Sequence, residues 1–388
     1  MALMVAEAAS MTRPLRVLMT ADTVGGVWQY ALQLAGSLAR RRGAQVALAT
    51  MGAPPTPSQR REAGSIPGMT LHASGFRLEW MSDPWNDIAL AGQWLLALED
   101  QLKPDIVHLN QFAFGPLPFK APTLLVAHSC VVSWWQAVHG TQPPPQWDRY
   151  REVVRAGLAA ADLVAAPTRD MLMSLARNHG CGGTGIVLAN GRDPQAFEPG
   201  LKRPLIISAG RLWDEAKNMR ALERIAPDVA WPIEVAGPTR SPDGLLWRSQ
   251  GLCLLGELSA GELARRLAEA SICVHPARYE PFGLAPLEAA LAGCALVLSD
   301  LASLREIWGT AAFYVPPDDH DALAAALKEL IADSDLLSRM SQRARAVALR
   351  HSDVAMAAAY EVAYSTAAST AGVRLRALAP LEDKQCAS

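Results

Sequence analysis

The segment Glu280-Pro-Phe-Gly-Leu-Ala-Pro-Leu-Glu288 comes shortly after Ile272–His275, an apolar run with the length of a buried strand. Gly283 stands near the start of a predicted helix whose first turn tolerates Pro286, and Gly293 marks its end. The first amides of such a helix have no partner within it, so they favour an anion. The segment therefore predicts a parallel α/β sheet with an anion-binding helix terminus beyond one strand.

Glu288 falls inside this predicted helix, among the apolar residues Ala285 to Ala292. An unpaired carboxylate is costly to bury. We therefore expect Glu288 either to face water or to accept hydrogen bonds from a ligand. As a bare pattern, two glutamates eight residues apart are common, and the glycine, the prolines and the preceding strand make this segment more specific.

The same alternation of strand-length apolar runs and amphipathic helices fills the chain from Arg16 onward and restarts after a linker at Asn190–Pro204. This pattern predicts two α/β domains, each with a parallel sheet covered by helices. Three late helical segments have no strand between them. The expected divisions are a flexible N-terminus at 1–14, a first domain at 15–195, a second domain at 196–350, a C-terminal helix at 351–367 and a flexible tail at 368–388.

Length and composition agree with two packed domains of roughly 150–200 residues each, because 388 residues exceed what one hydrophobic core usually organises. The net charge of −2 is unlike the basic surplus of a nucleic-acid binder. The six cysteines form no C-x-x-C pair and are expected to be buried thiols. Without a convincing signal peptide or an apolar run of membrane-spanning length, we expect a cytoplasmic protein, with peripheral contact at the inner membrane face left open.

Polar residues follow several predicted strands, where open parallel sheets bind ligands. They come from both predicted domains and favour a cleft between them. These residues are Asp22 with Gly25-Gly26, His108 with Asn110, His128, Arg211 and Glu280.

Two cations flank the polar turn Arg211 to Lys217, which runs from a strand to a helix. Arginine offers a planar fork and lysine a mobile point charge, a pair suited to the oxygens of one diphosphate. The alternative is that both are exposed and pair with Asp214 and Glu215. Gly25-Gly26 is weaker evidence, because a tight turn before a helix accounts for it equally well.

Taken together, these segments resemble the family-4 retaining glycosyltransferases, which have the GT-B fold of two Rossmann-like domains with parallel sheets facing a central cleft. The likeness extends from Arg16 to about Thr366. The motifs that carry it are Thr23-Val-Gly-Gly26, His128, Asn190-Gly191, Gly210-Arg211 with Lys217, Val235-Ala-Gly-Pro238, Leu255-Gly-Glu-Leu258, and the E-x7-E pair Glu280 and Glu288.

The resemblance implies a hexosyltransferase-type enzyme that is retaining and needs no metal, with a nucleotide-diphosphate sugar as co-substrate and no other cofactor. Arg211 and Lys217 would bind the diphosphate, Glu280 the sugar hydroxyls and Glu288 the ribose, while His128 would face the reacting sugar. The remaining donor contacts would come from Gly25, Gly26, Gly210, Gly237, Glu257, Leu258, Phe282, Gly283 and Leu284. The last helix of this fold commonly crosses back onto the first domain.

Three positions depart from the family pattern. The interval from Arg211 to Lys217 is one residue longer than a frequent spacing, Asn218 replaces a glycine, and Ser129 replaces an acidic residue after His128. The acceptor, a glycan, lipid-linked or small molecule, is not identified by the sequence, and neither is the oligomeric state. Trp134 and Trp135, in a predicted loop after His128, are the candidate acceptor contacts, because aromatic faces stack on sugars.

Two other functions fit the same residues. One is a GT-B-fold nucleotide-sugar epimerase, which would turn over without an acceptor. The other is a non-catalytic bilobed sugar-binding protein, although the set Arg211, Lys217, Glu280 and Glu288 counts against it.

Overall fold

The computed structural model describes residues 13–180, 185–241, 244 and 246–378, so the predicted start of the chain at 1–12 and the end of the tail at 379–388 lie outside the described residues. Two parallel sheets of seven and six strands organise the chain. The predicted α/β class with two domains is confirmed.

The first sheet has the strand order β3-β2-β1-β4-β5-β6-β7, and neighbouring strands run parallel. Its strands are β1 (Arg16–Asp22), β2 (Gln45–Met51), β3 (Met69–Ala73), β4 (Ile106–Leu109), β5 (Thr123–Val126), β6 (Leu163–Ala166) and β7 (Ile186–Val187). Its helices are α1 (Gly26–Arg42), α2 (Pro57–Gly64), α3 (Trp85–Leu102), α4 (Val131–His139), α5 (Asp148–Ala160) and α6 (Arg169–His179).

Alternation along β1 shows why this sheet is covered on both faces. Val17, Met19 and Ala21 belong to one apolar cluster, whereas Leu18 belongs to the cluster on the opposite face. Successive side chains of a strand point to opposite faces, so an uninterrupted apolar strand requires helices on both sides.

The second sheet has the order β10-β9-β8-β11-β12-β13, again with parallel neighbours. Its strands are β8 (Arg203–Ala209), β9 (Ile233–Ala236), β10 (Cys253–Gly256), β11 (Ala270–His275), β12 (Ala295–Ser299) and β13 (Phe313–Val315). Its helices are α7 (Met219–Ile225), α8 (Ala260–Glu269), α9 (Leu284–Leu291), α10 (Ala302–Trp308), α11 (His320–Ala332) and α12 (Ser334–Ala348).

The final helix, α13 (Asp353–Leu378), returns to the first domain as expected. At its start the Asp353 carboxylate accepts hydrogen bonds from Ser37 and Arg40 of α1, at 2.5 and 2.6 Å. Further along, Tyr360 and Tyr364 are buried in the cluster on the α1 face of the first sheet.

Helix α13 is longer than predicted, since it continues past 367 to Leu378. The extra residues include several alanines, which favour helix strongly enough to continue past Gly372. The predicted flexible tail therefore does not begin at 368.

The expectation that all six cysteines are buried also needs correction. Cys253 is exposed, because it opens β10 at the edge of the second sheet, whereas Cys130, Cys273 and Cys294 are buried as predicted. Cys181 and Cys386 lie outside the described residues.

In the part of the chain that the structure describes, no helix combines the length and apolarity needed to cross a membrane.

Candidate active site

The loop after β1 meets the second domain at the carboxyl ends of its strands. A Cβ built on Gly25 would lie 3.1 Å from the Arg211 guanidinium, and one on Gly26 would lie 3.5 Å from Leu284 at the start of α9. Gly25 has a φ of 84°. The absence of side chains at this turn thus allows the two domains to approach, and the structure brings these four predicted site residues together.

Glu280 is the centre of a polar cluster beneath this contact. Its Oε2 atom accepts hydrogen bonds from Lys217 Nζ at 2.7 Å and from His275 Nε2 at 2.8 Å. Burial alone would raise the pKa of Glu280, but the Lys217 ammonium and the bond from His275 outweigh it and hold the pKa well below its usual range. Glu280 is therefore an ionised carboxylate at the cleft, and His275 is a partner that the sequence pattern did not reveal.

Arg211 is held by its own turn. Its guanidinium donates to Asp214 Oδ2 at 2.6 Å and lies 5.3 Å from the centre of the Trp213 ring. The alternative pairing with Asp214 is thus present for Arg211, but Lys217 pairs with Glu280 instead of Asp214 or Glu215. Arg211 therefore has its acidic partner within the turn and Lys217 has its partner beyond it, and neither side chain is fully exposed.

Glycines let three backbone segments meet beside this turn. Gly210 follows β8 and Gly237 follows β9, and a Cβ on Gly237 would lie only 1.8 Å from the carbonyl oxygen of Gly210. The amide of Gly237 in turn donates to the carbonyl of Gly256 at 2.8 Å. Glu257 and Leu258 directly follow Gly256, so the structure places these predicted donor-binding residues on neighbouring loops.

Helix α9 starts where the sequence predicted, with Gly283 preceding it at a φ of 92°. The amides of Gly283 and Leu284 belong to the turn that leads into the helix, whereas the Phe282 side chain is buried in the core of the second domain. Thr168 of the first domain donates to the carbonyl of Pro281 at 3.0 Å. Contributions from Phe282 to a ligand are thus restricted to its backbone.

Glu288 does not face water, because it pairs with an arginine of the linker. Its side chain is 8% exposed and forms an ion pair of 2.9 Å with Arg192, which is equally buried in the linker between the domains. Burial raises the pKa of Glu288, and the Arg192 charge only partly offsets this. The charge of Arg192 reduces the cost of burying this carboxylate, and a pairing between residues so far apart leaves no local signal in the sequence.

His128 follows β5 as predicted and lies in a network within the first domain. Its Nε2 atom is 2.8 Å from Asn110 Oδ1, and its ring packs edge-on against Tyr30 at 4.3 Å. Burial lowers the pKa of His128 to about 3, so the imidazole is neutral near pH 7. His108 lies deeper, with its Nδ1 atom 2.8 Å from the Tyr364 hydroxyl, and connects α13 to the sheet instead of facing the cleft.

Trp134 and Trp135 lie in helix α4, not in a loop, because a regular helical turn forms from Val131 and ends at Gly140 with a φ of 68°. The Trp134 indole donates to Asp214 of the second domain at 3.1 Å. The Trp135 indole donates to Thr141 at 3.3 Å. Trp134 is thus tied to the turn that carries Arg211.

Two family models match the chain in succession. The model described as Glycosyltransferase Family 4 matches residues 24–196, and the model described as Glycosyl transferases group 1 matches residues 203–333. The chain belongs to the group 1, family 4 glycosyltransferases. The boundary between the two matches falls in the linker that carries Arg192.

Curated relatives of this family are similar over part of the chain. A glycogen synthase from Mycobacterium tuberculosis is 31% identical over 41% of this chain and 42% of its own length. An O-antigen chain mannosyltransferase B from Escherichia coli is 30% identical over 35% of this chain and 30% of its own length. The chain therefore matches less than half the length of either relative.

Solved structures are similar over nearly the whole chain. A sucrose-phosphate synthase from Thermosynechococcus elongatus aligns with a TM-score of 0.72 at 18% identity, covering 95% of this chain and all of that one. An Anabaena protein solved in complex with UDP-glucose aligns with a TM-score of 0.71 at 15% identity, over 91% of this chain and all of that one. The GT-B fold is thereby confirmed.

Proposed function

We propose that this family member is a retaining, metal-independent enzyme that transfers a sugar from a nucleotide diphosphate to an acceptor. One observation carries the proposal: Arg211 and Lys217 flank a single turn beside an ionised Glu280 and the N-terminus of α9. Cations and helix-terminal amides suit a diphosphate, and a carboxylate suits sugar hydroxyls.

The electrostatics favour departure of the diphosphate. When the bond from the anomeric carbon to the phosphate oxygen breaks, negative charge grows on the leaving group. Arg211, Lys217 and the first amides of α9 offset that charge, and a single positioned donor is worth roughly 3–4 kcal/mol in comparable sites. Lys217 and Arg211 pair with Glu280 and Asp214, so the diphosphate shares them with these carboxylates.

Glu280 provides hydrogen-bond acceptor atoms for the hydroxyls of the donor sugar. Because its pKa is held low, both oxygens remain unprotonated and accept hydrogen bonds at neutral pH. His275 and Lys217 also fix the orientation of the carboxylate. Hydroxyls of a donor sugar that approach from the cleft then meet a preorganised charge.

The reaction that we propose exchanges one bond for another on the same face of the sugar. The acceptor oxygen bonds to the anomeric carbon as the phosphate oxygen leaves, and the acceptor proton passes to that phosphate oxygen. The neutral His128 positions the sugar and takes no proton. The products are the glycoside and a nucleoside diphosphate.

The relatives support a nucleotide-sugar donor. They include a glycogen synthase and a mannosyltransferase, and one structural neighbour was solved with UDP-glucose. They differ in sugar and acceptor, so we propose neither for this chain.

A donor screen followed by product analysis tests the proposal. Purified protein is incubated with UDP-, GDP- and ADP-sugars and a mixture of sugar acceptors, with and without EDTA, and the product anomer is assigned by NMR. We expect one donor to react with retained configuration and unchanged rate in EDTA. Inversion, loss of activity in EDTA that manganese or magnesium restores, or turnover that needs no acceptor would each contradict part of the proposal.

A further inference from the structure

Asp214 joins three groups that belong to different parts of the molecule. Its Oδ2 atom accepts from Arg211 at 2.6 Å, and its Oδ1 atom accepts from the indole of Trp134 at 3.1 Å. Oδ1 also accepts from the amide of Ala216 at 3.0 Å. Arg211 and Ala216 lie in the second domain, whereas Trp134 lies in α4 of the first.

Asp214 lies within the Arg211–Lys217 turn and stabilises its backbone. It precedes the short 3-10 helix Glu215–Lys217 and caps its first turn through the amide of Ala216. Its carboxylate side chain is 6% exposed. Burial would raise the pKa of Asp214, but Arg211, Lys217 and the Trp134 hydrogen bond together hold it below its usual value, so the group is ionised. A buried and ionised residue with both oxygens bonded has little freedom to move.

Trp134 contributes the bond that depends on the relative position of the domains. Its side chain extends from α4 to the Arg211–Lys217 turn, and its indole N–H is a donor only. If the domains separate, Asp214 loses that donor. Arg211 then pairs with a carboxylate that is less restrained.

We propose that the Trp134–Asp214 hydrogen bond is a positioning device that orients Arg211 toward the diphosphate when the two domains are together. This proposal rests on the proposed function and goes beyond it, because it assigns Trp134 to the leaving group's side of the reaction instead of to acceptor stacking. Trp134 and Asp214 are positioning residues, since they act through Arg211.

The test compares Trp134→Phe, Asp214→Asn and the double variant. Phenylalanine removes the indole donor, and asparagine keeps the N-cap acceptor while removing the charge that holds Arg211. A hydrogen bond to a charged group is worth enough to lower kcat about tenfold. Because Arg211 meets charge that develops in the transition state, the Michaelis constants for donor and acceptor should each change less than about twofold.

Trp28→Phe is the matched control. Its indole also donates to a carboxylate, Glu62, over 3.1 Å, but both residues lie within the first domain. The control should lower the melting temperature and leave kcat unchanged. If Trp134→Phe does not fold, Asp214→Asn with its preserved cap carries the test.

Non-additivity supplies the decisive readout. The double variant should lose no more than about twofold beyond either single variant, because both break one chain of contacts. Multiplicative losses, an unchanged kcat in Trp134→Phe, or a rise confined to the acceptor's Michaelis constant would each overturn the proposal. A wild type inactive with all donors counts against the proposed function and this proposal together, whereas an active wild type with an unaffected Trp134→Phe overturns this proposal alone.

Discussion

The two ends of segment 280–288 carry the same side chain in opposite surroundings. Glu280 faces the cleft with Lys217 and His275 as partners, and its pKa is lowered. Glu288 lies within α9 against Arg192 of the linker, and its pKa is raised. The first carboxylate is charged and lies beside Lys217 at the domain contact, whereas the second joins α9 to the linker between the domains. A shared motif thus places two glutamates in roles that burial and partner charge decide.

Among the variants that test this comparison, Lys217→Ala should have the largest effect on kcat. Lys217→Ala deletes a cation from the leaving group and leaves Glu280 buried with His275 alone. We expect kcat to fall about 10²- to 10³-fold, as for the loss of other oxyanion donors. Steady-state kinetics with the reactive donor measure it. A loss below about fivefold would show that Lys217 does not meet the diphosphate.

Substitution of the two glutamates should change different kinetic constants. Glu280→Gln should lower kcat about 10- to 100-fold with little change in the donor's Michaelis constant, because the bonds that we propose between Glu280 and the sugar would strengthen in the transition state. If Glu288 binds the ribose, as the family resemblance implies, Glu288→Gln should instead raise that Michaelis constant about tenfold, because such a contact would be the same in both states.

Arg192→Gln distinguishes two possible roles of Glu288. If Glu288 only joins α9 to the linker, Arg192→Gln reproduces the effect of Glu288→Gln, since both remove the same ion pair. If Glu288 also binds ribose, only Glu288→Gln raises the donor's Michaelis constant. Normal kinetics in both glutamine variants of the motif would refute the assignment of these residues to the donor.

The close approach of the domains is tested by Gly25→Ala. The added methyl would lie 3.1 Å from Arg211, and the φ of 84° disfavours any side chain. Backbone strain of this kind costs roughly 1–3 kcal/mol, and the methyl also shifts Arg211, so we expect about a tenfold loss of kcat/KM. Gly43→Ala, at the other end of α1 with a φ of 61° and nothing within 4 Å, should lower the melting temperature without changing kinetics. Equal kinetics in the two variants would remove the steric argument.

The smallest effect concerns pH. Burial raises the pKa of Asp22 from 3.8 to about 6, although Arg211 lowers it in part. The folded protein holds this proton more tightly than the unfolded chain, so the contribution of Asp22 to stability falls as pH rises from about 4 to about 6. Asp22→Asn should therefore raise the melting temperature by about 1–4 °C at pH 7.5 and leave it unchanged at pH 4. An equal shift at both pH values would contradict a partly buried Asp22 that titrates between these pH values.

Strand positions were predictable because short apolar runs bounded by turn residues are typical of strands in a sheet buried on both faces. Apolar runs of this kind at Ile106–Leu109, Leu163–Ala166, Ile233–Ala236 and Ala295–Ser299 form β4, β6, β9 and β12. The apolar runs do not predict strand β3 (Met69–Ala73), because this edge strand alternates apolar and polar residues and none of its side chains is fully buried.

The sequence predicted which backbone segments form the site, but not which side chains pair within it. Local motifs placed Gly25, Arg211 and Glu280 at strand ends, where the structure has them. The bond from Trp134 to Asp214 joins the two domains, and the ion pair from Arg192 to Glu288 joins the linker to the second domain. Such contacts depend on how the domains meet, which no local pattern encodes.

The central claim, that Arg211 and Lys217 bind a nucleoside diphosphate, has a direct test in the melting temperatures measured with UDP, GDP and ADP. Arg203→Ala is the control, because Arg203 stands at the opposite end of β8 from Arg211 and pairs with Glu269 on the surface. A ligand at 100 times its dissociation constant adds about 2.7 kcal/mol of stability. We predict that at least one nucleotide stabilises the wild type and Arg203→Ala but not the Arg211→Ala, Lys217→Ala double variant. Equal stabilisation of all three proteins, or of none by any nucleotide, would contradict the account.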